Sequence, residues 1–416
     1  MGMSSTDTRR QTKTATVFAA LSRLRERYRQ VRLMAPPLKG LRAYANWLLG
    51  NCEIRMGASR IRVRPWKLTF DLTNVCQLRC PLCPTGLQAQ DRESGHAQFH
   101  MFERLLEEVG DYVFFIDFFN WGEPLLNRRL EEFVQLASSK NIVCSISTNL
   151  SLPLTDERIR RLVTSGLNEI LISLDGASSD TYAIYRRQGK FELVWENMRR
   201  LIRAKRSLGQ TFPLITWQFL VFRFNEHEID KAKVMAAEIG VDRLIFRAPF
   251  LDVDRYPVPD SEKEAMAAWA PSEPRFRIAD PGPKSRCGWH YMSSAINWDG
   301  SVASCCTTFK KQDDFGTIGK SGQYSYMNVV NNAAYRAVRD RFAGRRTEPV
   351  PLVCERCPTP SIMDYHKYIN HQIILFSFVG VIQAVRRLFG RSRATHPSAR
   401  GLPAGSTVGS GPARAE

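Results

Sequence analysis

Three cysteines, Cys76, Cys80 and Cys83, stand in C-x3-C-x2-C spacing directly after the apolar, β-prone run Trp66–Leu72. Pro81 and Pro84 lie between and after them, so the three share neither a helix face nor a strand face. They belong on a loop that wraps around something. Three thiolates around one centre leave a metal or cluster with an open coordination position, where chemistry takes place. A zinc loop would need a fourth ligand nearby, and the next Cys or His is His96, thirteen residues past Cys83.

A second set comes late in the chain: Cys287-Gly-Trp-His290, then Asn297-Trp-Asp-Gly300, Cys305-Cys306 and Cys354-Glu-Arg-Cys357. The Asp299-Gly300 pair predicts a type I′ hairpin turn, which would bring Cys287 and Cys305 together. Cys354 and Cys357, on a C-x2-C knuckle, would complete four ligands, with Cys306 the alternative to Cys305. Spacing alone leaves a zinc ribbon and an iron–sulfur cluster both open. Cys52, Cys144 and whichever of the Cys305–Cys306 pair is not a ligand read as ordinary buried thiols. With seven of ten cysteines in ligand spacings, a reducing cytoplasm fits better than a disulfide framework.

Alternation of apolar runs with amphipathic stretches supplies the elements that must position these groups. Strands are expected at Lys67–Leu72, Tyr112–Phe119, Ile142–Thr148, Glu169–Leu174, Leu214–Phe222 and Arg243–Arg247, and helices at about 99–109, 128–139, 155–165, 191–208 and 226–239. This order argues for a parallel sheet curling into a full or partial barrel, with its functional groups at the C-terminal strand ends. The cysteine loop follows the first strand. The second strand runs into Asn120-Trp-Gly-Glu-Pro124, the third ends at Ser147-Thr-Asn149 and the fourth at Ser173-Leu-Asp175.

The cysteine spacing at the end of a first strand resembles that of the radical S-adenosylmethionine (radical SAM) enzymes, with Leu82 where that family usually has an aromatic residue. The resemblance covers about residues 66–250. It implies a partial (β/α)6 TIM-like barrel in which Cys76, Cys80 and Cys83 hold three irons of a 4Fe–4S cluster and SAM chelates the fourth. Reductive cleavage of SAM then yields a 5′-deoxyadenosyl radical that takes a hydrogen atom from the substrate. Gly122-Glu123-Pro124 is similar to the family's SAM-amino-binding Gly-Gly-Glu-Pro segment, with Trp121 in place of the first glycine. By the same resemblance Asn149 lies at the cofactor, and Ser173 and Asp175 bond the ribose hydroxyls. Arg186, or alternatively Arg187, meets the SAM carboxylate, and Gln218 supplies a polar contact from the fifth strand.

The later cysteines look like the C-terminal extension of the SPASM/twitch group. No cysteine follows Cys357, so the shorter twitch form fits, with one auxiliary 4Fe–4S cluster on Cys287, Cys305, Cys354 and Cys357. The 17-residue gap between its first two ligands is similar to that of aminocyclitol dehydrogenases. The resemblance therefore implies hydrogen abstraction from a carbohydrate or aminocyclitol, free or lipid-linked, for oxidation or epimerisation. In an epimerase, Cys306 would be the hydrogen-atom donor. A peptide-modifying maturase is the alternative, less favoured because no winged-helix peptide-binding region is evident before Trp66. A non-catalytic iron–sulfur or zinc-binding protein is a third reading. The reductant would be a flavodoxin or ferredoxin.

Of the +18 net charge, residues 1–64 hold +11 and residues 386–416 hold +5, leaving +2 for the body. Basicity confined to the ends excludes a basic nucleic-acid groove and suits peripheral contact with an anionic membrane surface. Helices at Thr16–Leu33 and Leu41–Leu49 (the latter gathering Tyr44, Trp47, Leu48 and Leu49) would either lie at that interface or pack on the body. The apolar run Ile373–Ile382, followed by Arg386 and Arg387, is too short to span a bilayer. Met1-Gly2 with Thr6 fits only the bare myristoylation pattern, and no cleavable signal peptide is expected. The expected organisation is a basic N-terminal arm (1–64), a barrel (65–250), a linker or cover (251–285), an auxiliary cluster domain (286–360), an apolar/basic helix (361–390) and a disordered tail (391–416).

Overall fold

A computed structural model describes residues 39–251, 257–278, 287–319, 325–346, 353–356, 366–375 and 377. The expected helix at Thr16–Leu33, the myristoylation pattern, Cys357 and the tail lie outside the described residues.

Six parallel strands form the catalytic half: β1 (Lys67–Phe70), β2 (Phe115–Asp117), β3 (Val143–Thr148), β4 (Glu169–Ser173), β5 (Leu214–Leu220) and β6 (Arg243–Arg247). They pair in sequence order, and β6 is left at one edge, so the barrel is partial. Crossover helices α2 (Phe99–Val109), α3 (Leu130–Ser139), α4 (Asp156–Thr164), α5 (Ser179–Tyr185), α6 (Phe191–Ser207) and α7 (Ile229–Ile239) join them. Strand periodicity sorts the side chains. Leu68, Phe70, Ile116, Phe118, Ile146, Ile170 and Trp217 are buried in the apolar core, where the rings of Phe70, Phe102, Phe118 and Phe133 meet at centroid distances of 4.8–6.5 Å. The opposite parity, Lys67, Thr69, Asp117, Ser145 and Glu169, falls to the other face of the sheet.

The expected strands and helices form with trimmed ends. Strand β2 is much shorter than Tyr112–Phe119, although Phe114 N to Trp66 O and Phe118 N to Ser145 O (both 2.9 Å) extend its pairing. Helix α5 was not among the expected elements; Ser178 caps it through the Thr181 N–H, and Tyr182 and Tyr185 are buried. Residues 251–285 show no periodicity in sequence yet contain helix α8 (Asp260–Ala267). Val258, Met266 and Trp269 from this stretch pack over the cysteine loop.

The second half continues the same sheet. Helix α9 (Trp289–Met292) leads into β7 (Ala295–Ile296), β8 (Ser301–Ala303) and β9 (Asp314–Thr317), followed by α10 (Tyr326–Val330) and α11 (Ala333–Phe342). Strand β7 lies parallel to β1, pairing Thr69 with Ala295 and Phe70 with Ile296, so the order is β6-β5-β4-β3-β2-β1-β7-β8-β9. The Asn297–Gly300 turn joins β7 to β8, as expected, but is not type I′. Gly300 alone in it takes a positive φ (82°), and its N–H bonds Asn297 O at 2.9 Å. That is a type I turn followed by a left-handed glycine.

Helix α1 (Leu41–Met56) is longer than Leu41–Leu49 and ends at Gly57 in the left-handed region (φ 65°). Its expected apolar cluster is split. Trp47 Nε1 donates to Asn370 of helix 366–375 at 2.7 Å and Tyr44 packs on Phe114, whereas Leu48 and Leu49 are exposed. Cys52 is exposed too, not buried. Among the described residues no helix is long and apolar enough to cross a membrane.

Candidate active site

The Cys76–Cys83 segment is a compact loop held by its own backbone. Cys83 N bonds Cys80 O (3.3 Å), Leu87 N bonds Cys83 O (2.9 Å), and Arg79 Nη1 caps the carbonyls of Cys76 and Leu78 (both 3.0 Å). Gly86 is required, since a Cβ there would stand 2.3 Å from Cys80 O. Donors approach the sulfurs: Leu78 N lies 3.4 Å and Asn149 Nδ2 3.6 Å from Cys76 Sγ, and Arg186 Nη1 lies 4.0 Å from Cys80 Sγ. Burial pushes the Cys76 thiol up to about 12, with the Glu123 carboxylate adding to it. Burial pushes Cys80 up to about 11 against the pull of Arg186. Loading a metal centre must therefore displace protons. Leu78 and Leu82 of the loop pack with Tyr185, Phe222, Met266 and Phe309, burying Cys80 and leaving Cys76 and Cys83 half-buried.

At the end of β2, Gly122 is pressed against the cysteine loop, where an added Cβ would meet Thr73 O at 1.8 Å. Pro124 opens a short 3-10 turn. The Glu123 carboxylate is turned inward, accepting from Leu125 N (3.1 Å), Thr148 Oγ1 (2.7 Å) and Asn149 N (2.8 Å). It ties the ends of β2 and β3 together. Burial outweighs these donors and raises Glu123 to about 7. Asp71, which no motif marks, accepts from Trp121 N (3.1 Å) just past β1 and is likewise raised by burial to about 7. Its one sequence signal is a carboxylate in an apolar strand, on the parity of Lys67 and Thr69.

Beyond β3, Asn149 is locked to the cysteine loop through Gln77 Nε2 (2.8 Å) and is followed by Leu150 at φ 53°, a strained position for a bulky residue. Ser173 and Gln218 are register partners across β4 and β5, and Ser173 Oγ lies 3.5 Å from Ser147 Oγ. Asp175, fully buried, accepts from Arg186 Nε (2.5 Å) and Leu220 N (2.7 Å), so two groups expected to contact different parts of the cofactor engage each other. Arg187, the alternative to Arg186, instead pairs on the surface with Glu262 (2.8 Å). Five positions beyond the ends of β2, β3 and β4 thus reach the cysteine loop directly or through one another, Gly122, Glu123, Asn149, Asp175 and Arg186, while Ser173 and Gln218 lie side by side on β4 and β5.

The inner face below them is polar. Lys67 pairs with Asp117, which also accepts from Ser145 Oγ (2.6 Å), and Glu169 accepts from Thr216 Oγ1 and from Arg243 Nη1 (2.9 Å). No motif identifies these residues, because isolated charges in short strands look like surface positions until the sheet closes.

In the second cysteine set Cys287 is buried and Cys305 and Cys354 half-buried. Cys354 Sγ lies 3.7 Å from His290 Nε2, which brings the Cys287–His290 segment to the turn Val353–Arg356. Cys305 Sγ lies 2.9 Å from Thr307 Oγ1, and burial pushes the Cys306 thiol up, with the neighbouring Cys305 adding to it. The halves meet closely. Trp121 Nε1 donates to Thr308 O (2.8 Å). Arg92 grips Asp314 through two nitrogens (both 3.1 Å). Among the described residues no three His, Cys, Asp or Glu side chains form a cage for a single metal ion. Thiolates that each hold a separate iron of a cluster need no such convergence.

Residues 70–229 match the model of the radical SAM superfamily, and residues 287–358 match that of the SPASM iron–sulfur cluster-binding domain. The chain belongs to the radical SAM superfamily. It joins a radical SAM domain to a SPASM domain, and with them come a SAM-binding 4Fe–4S cluster, SAM and auxiliary iron–sulfur ligation. The buried and half-buried thiols, the sulfur-directed N–H donors and the apolar packing of the loop fit such a group. This radical SAM protein is 26% identical over 176 residues to a GTP 3′,8-cyclase of Desulforamulus reducens, covering 42% of this chain and 52% of that one. It is 27% identical over 183 residues to a PqqA peptide cyclase of Bradyrhizobium diazoefficiens, covering 43% and 45%. With a mycofactocin maturase of Mycobacterium tuberculosis it shares 25% identity over 300 residues, covering 66% and 73%. The match spans about half the length of the first two relatives.

Proposed function

We propose that this radical SAM enzyme modifies a peptide, by cyclisation or by maturation of a precursor. The supporting observation is that the likeness to the mycofactocin maturase runs for 300 residues, too long for the barrel alone. The PqqA peptide cyclase points the same way. The alternative reading of the sequence is thus better supported than the carbohydrate reading.

When bound, the cluster and SAM supply one-electron chemistry that ends in a hydrogen-abstracting radical. The chain's own residues bind, orient and exclude. Cys76, Cys80 and Cys83 hold the first cluster, with Asn149 and Leu78 donating toward Cys76. Gly122–Pro124, Asn149, Ser173, Asp175, Arg186 and Gln218 line the SAM site. Here Glu123 acts through the strand ends it joins, and Arg186 supplies the cation. Cys287, Cys305, Cys354 and Cys357 would hold the auxiliary cluster, and with four protein ligands it would serve to carry electrons. The reductant is a flavodoxin or ferredoxin.

Hydrogen abstraction from a carbohydrate or aminocyclitol, leading to oxidation or epimerisation, is a second reading. It is favoured by the hydrogen-bonding inner face built from Lys67, Asp117, Ser145 and Ser147. Anaerobically reconstituted protein, reductant and SAM should form 5′-deoxyadenosine in step with a mass change in a precursor peptide. Turnover with aminocyclitols or glycans and none with peptides would reverse the order of the two readings. Peripheral membrane contact through the exposed apolar face of α1 is part of the same proposal.

A further inference from the structure

His290 lies where the spacing of the cysteines gives no reason to look. Its Nε2 is 3.7 Å from Cys354 Sγ, and the side chain is 4% exposed. The ring stacks on Phe315 (centroids 6.4 Å, interplanar angle 10°) and Phe342 (6.1 Å, 26°), and Tyr335 meets it edge-on (6.1 Å, 76°). Its backbone carbonyl accepts from Arg339 Nε (3.1 Å) and Nη2 (2.8 Å), on the helix α11 that also carries Tyr335 and Phe342. The imidazole cannot swing away from the sulfur without unpacking that helix.

The other ring nitrogen decides which way the contact runs. Nδ1 is buried and has no hydrogen-bond partner among the described residues. A neutral imidazole carries its proton on one nitrogen. On Nδ1 that proton would be a buried donor with no acceptor; on Nε2 it faces a sulfur. A donor at a ligating thiolate binds more strongly as negative charge on the centre grows, so it favours the reduced form and raises the potential.

We propose that His290 is a positioning residue of the auxiliary centre, donating its Nε2–H to the Cys354 sulfur and holding that centre at a higher reduction potential. The proposal rests on Cys354 being a cluster ligand. Geometry supplies the rest: a caged ring, one orphaned nitrogen, and the other nitrogen directed at sulfur.

The test is an EPR-monitored redox titration of the reconstituted full-length chain. A parallel titration of the Cys76→Ala/Cys80→Ala/Cys83→Ala protein isolates the auxiliary signal. His290→Phe keeps an aromatic ring in the cage and removes the donor. Its auxiliary midpoint is expected to fall, with iron content and the first cluster's midpoint unchanged, and His290→Gln should recover part of the fall. An unchanged midpoint at full iron loading overturns the proposal. Should His290→Phe not fold, wild-type protein labelled with 15N-histidine gives a second measurement. A weak nitrogen coupling to the reduced auxiliary centre is expected; none, or the strong coupling of a direct ligand, overturns it. Cys354→Ala separates the two ideas: if auxiliary iron survives, Cys354 is not a ligand and the assignment beneath the proposal fails.

Discussion

Arg186 and Asp175 form a closed ion pair at the mouth of the partial barrel, Nε to Oδ2 at 2.5 Å, with the carboxylate wholly buried. The same guanidinium lies 4.0 Å from Cys80 Sγ and 5.3 Å over the Tyr185 ring. One cation thus offsets charge on both the β4 terminus and the cysteine loop. Arg186→Met would strand a buried carboxylate, at a cost of about 3–5 kcal/mol. Adding Asp175→Asn should return much of that loss, since no charge is then left unpaired. Denaturant midpoints of the single and double variants check this. A double variant no more stable than Arg186→Met would show that the pair does not carry the effect.

Asp71 and Glu123 give the fold a pH dependence of definite sign. Burial raises both carboxyls to about 7, so between about pH 4 and pH 7 the folded chain holds protons that the unfolded chain has released. Their contribution is therefore most favourable at the acid end and is lost as pH rises through the window, by about 3–4 kcal/mol per group. Glu123→Gln removes one such titration. Its stability relative to wild type should improve from about pH 4.5 to about pH 7.5. A difference independent of pH would show that Glu123 titrates normally.

The two adjacent cysteines should separate by iron content. Cys305 is separated from Cys287 by 17 residues, the spacing that assigns it to the auxiliary ligand set. Cys305→Ala is expected to lose about four of about eight irons per chain, and Cys306→Ala to keep them all. The reverse result would exchange the two in the ligand set.

Arg92 joins the segment after the cysteine loop to the β8–β9 hairpin, contacting Ser301 Oγ at 2.8 Å as well as Asp314. Arg92→Met should destabilise the protein by about 3–5 kcal/mol, because Asp314 loses its buried partner. Hydrogen exchange should rise over residues 301–317 before it rises in β3 and β4. Uniform loosening of the whole sheet would assign Arg92 a global role instead.

Helix α1 offers the membrane reading a direct test. Leu41 and Leu48 are 88% and 58% exposed, and Ile374 on the neighbouring helix is 55% exposed. Leu48→Asp should reduce sedimentation with anionic vesicles and leave thermal stability unchanged. Equal sedimentation of the variant and wild type would remove α1 from any such contact.

The parts legible in sequence were those where local chemistry and strand position agree. The cysteine loop, the Gly122–Pro124 turn, Asn149, Ser173 and Asp175 each end a strand, and an apolar run of sufficient length marks each strand. What stayed hidden depends on closure. Lys67 and Asp117 acquire meaning only when β1 and β2 lie side by side, and His290 only when residues far apart in the chain cage it. The type I′ turn failed for a local reason: Asp-Gly also serves a type I turn whose glycine takes the left-handed region. The split of α1 followed from packing against helix 366–375, a partner more than three hundred residues away.

Strand β1 is flanked by β2 on one side and β7 on the other. A fragment cut before Ala295 would bare the backbone amides and carbonyls along a hydrophobic strand, a template for self-association. The barrel expressed without β7 should therefore self-associate through the bared edge of β1.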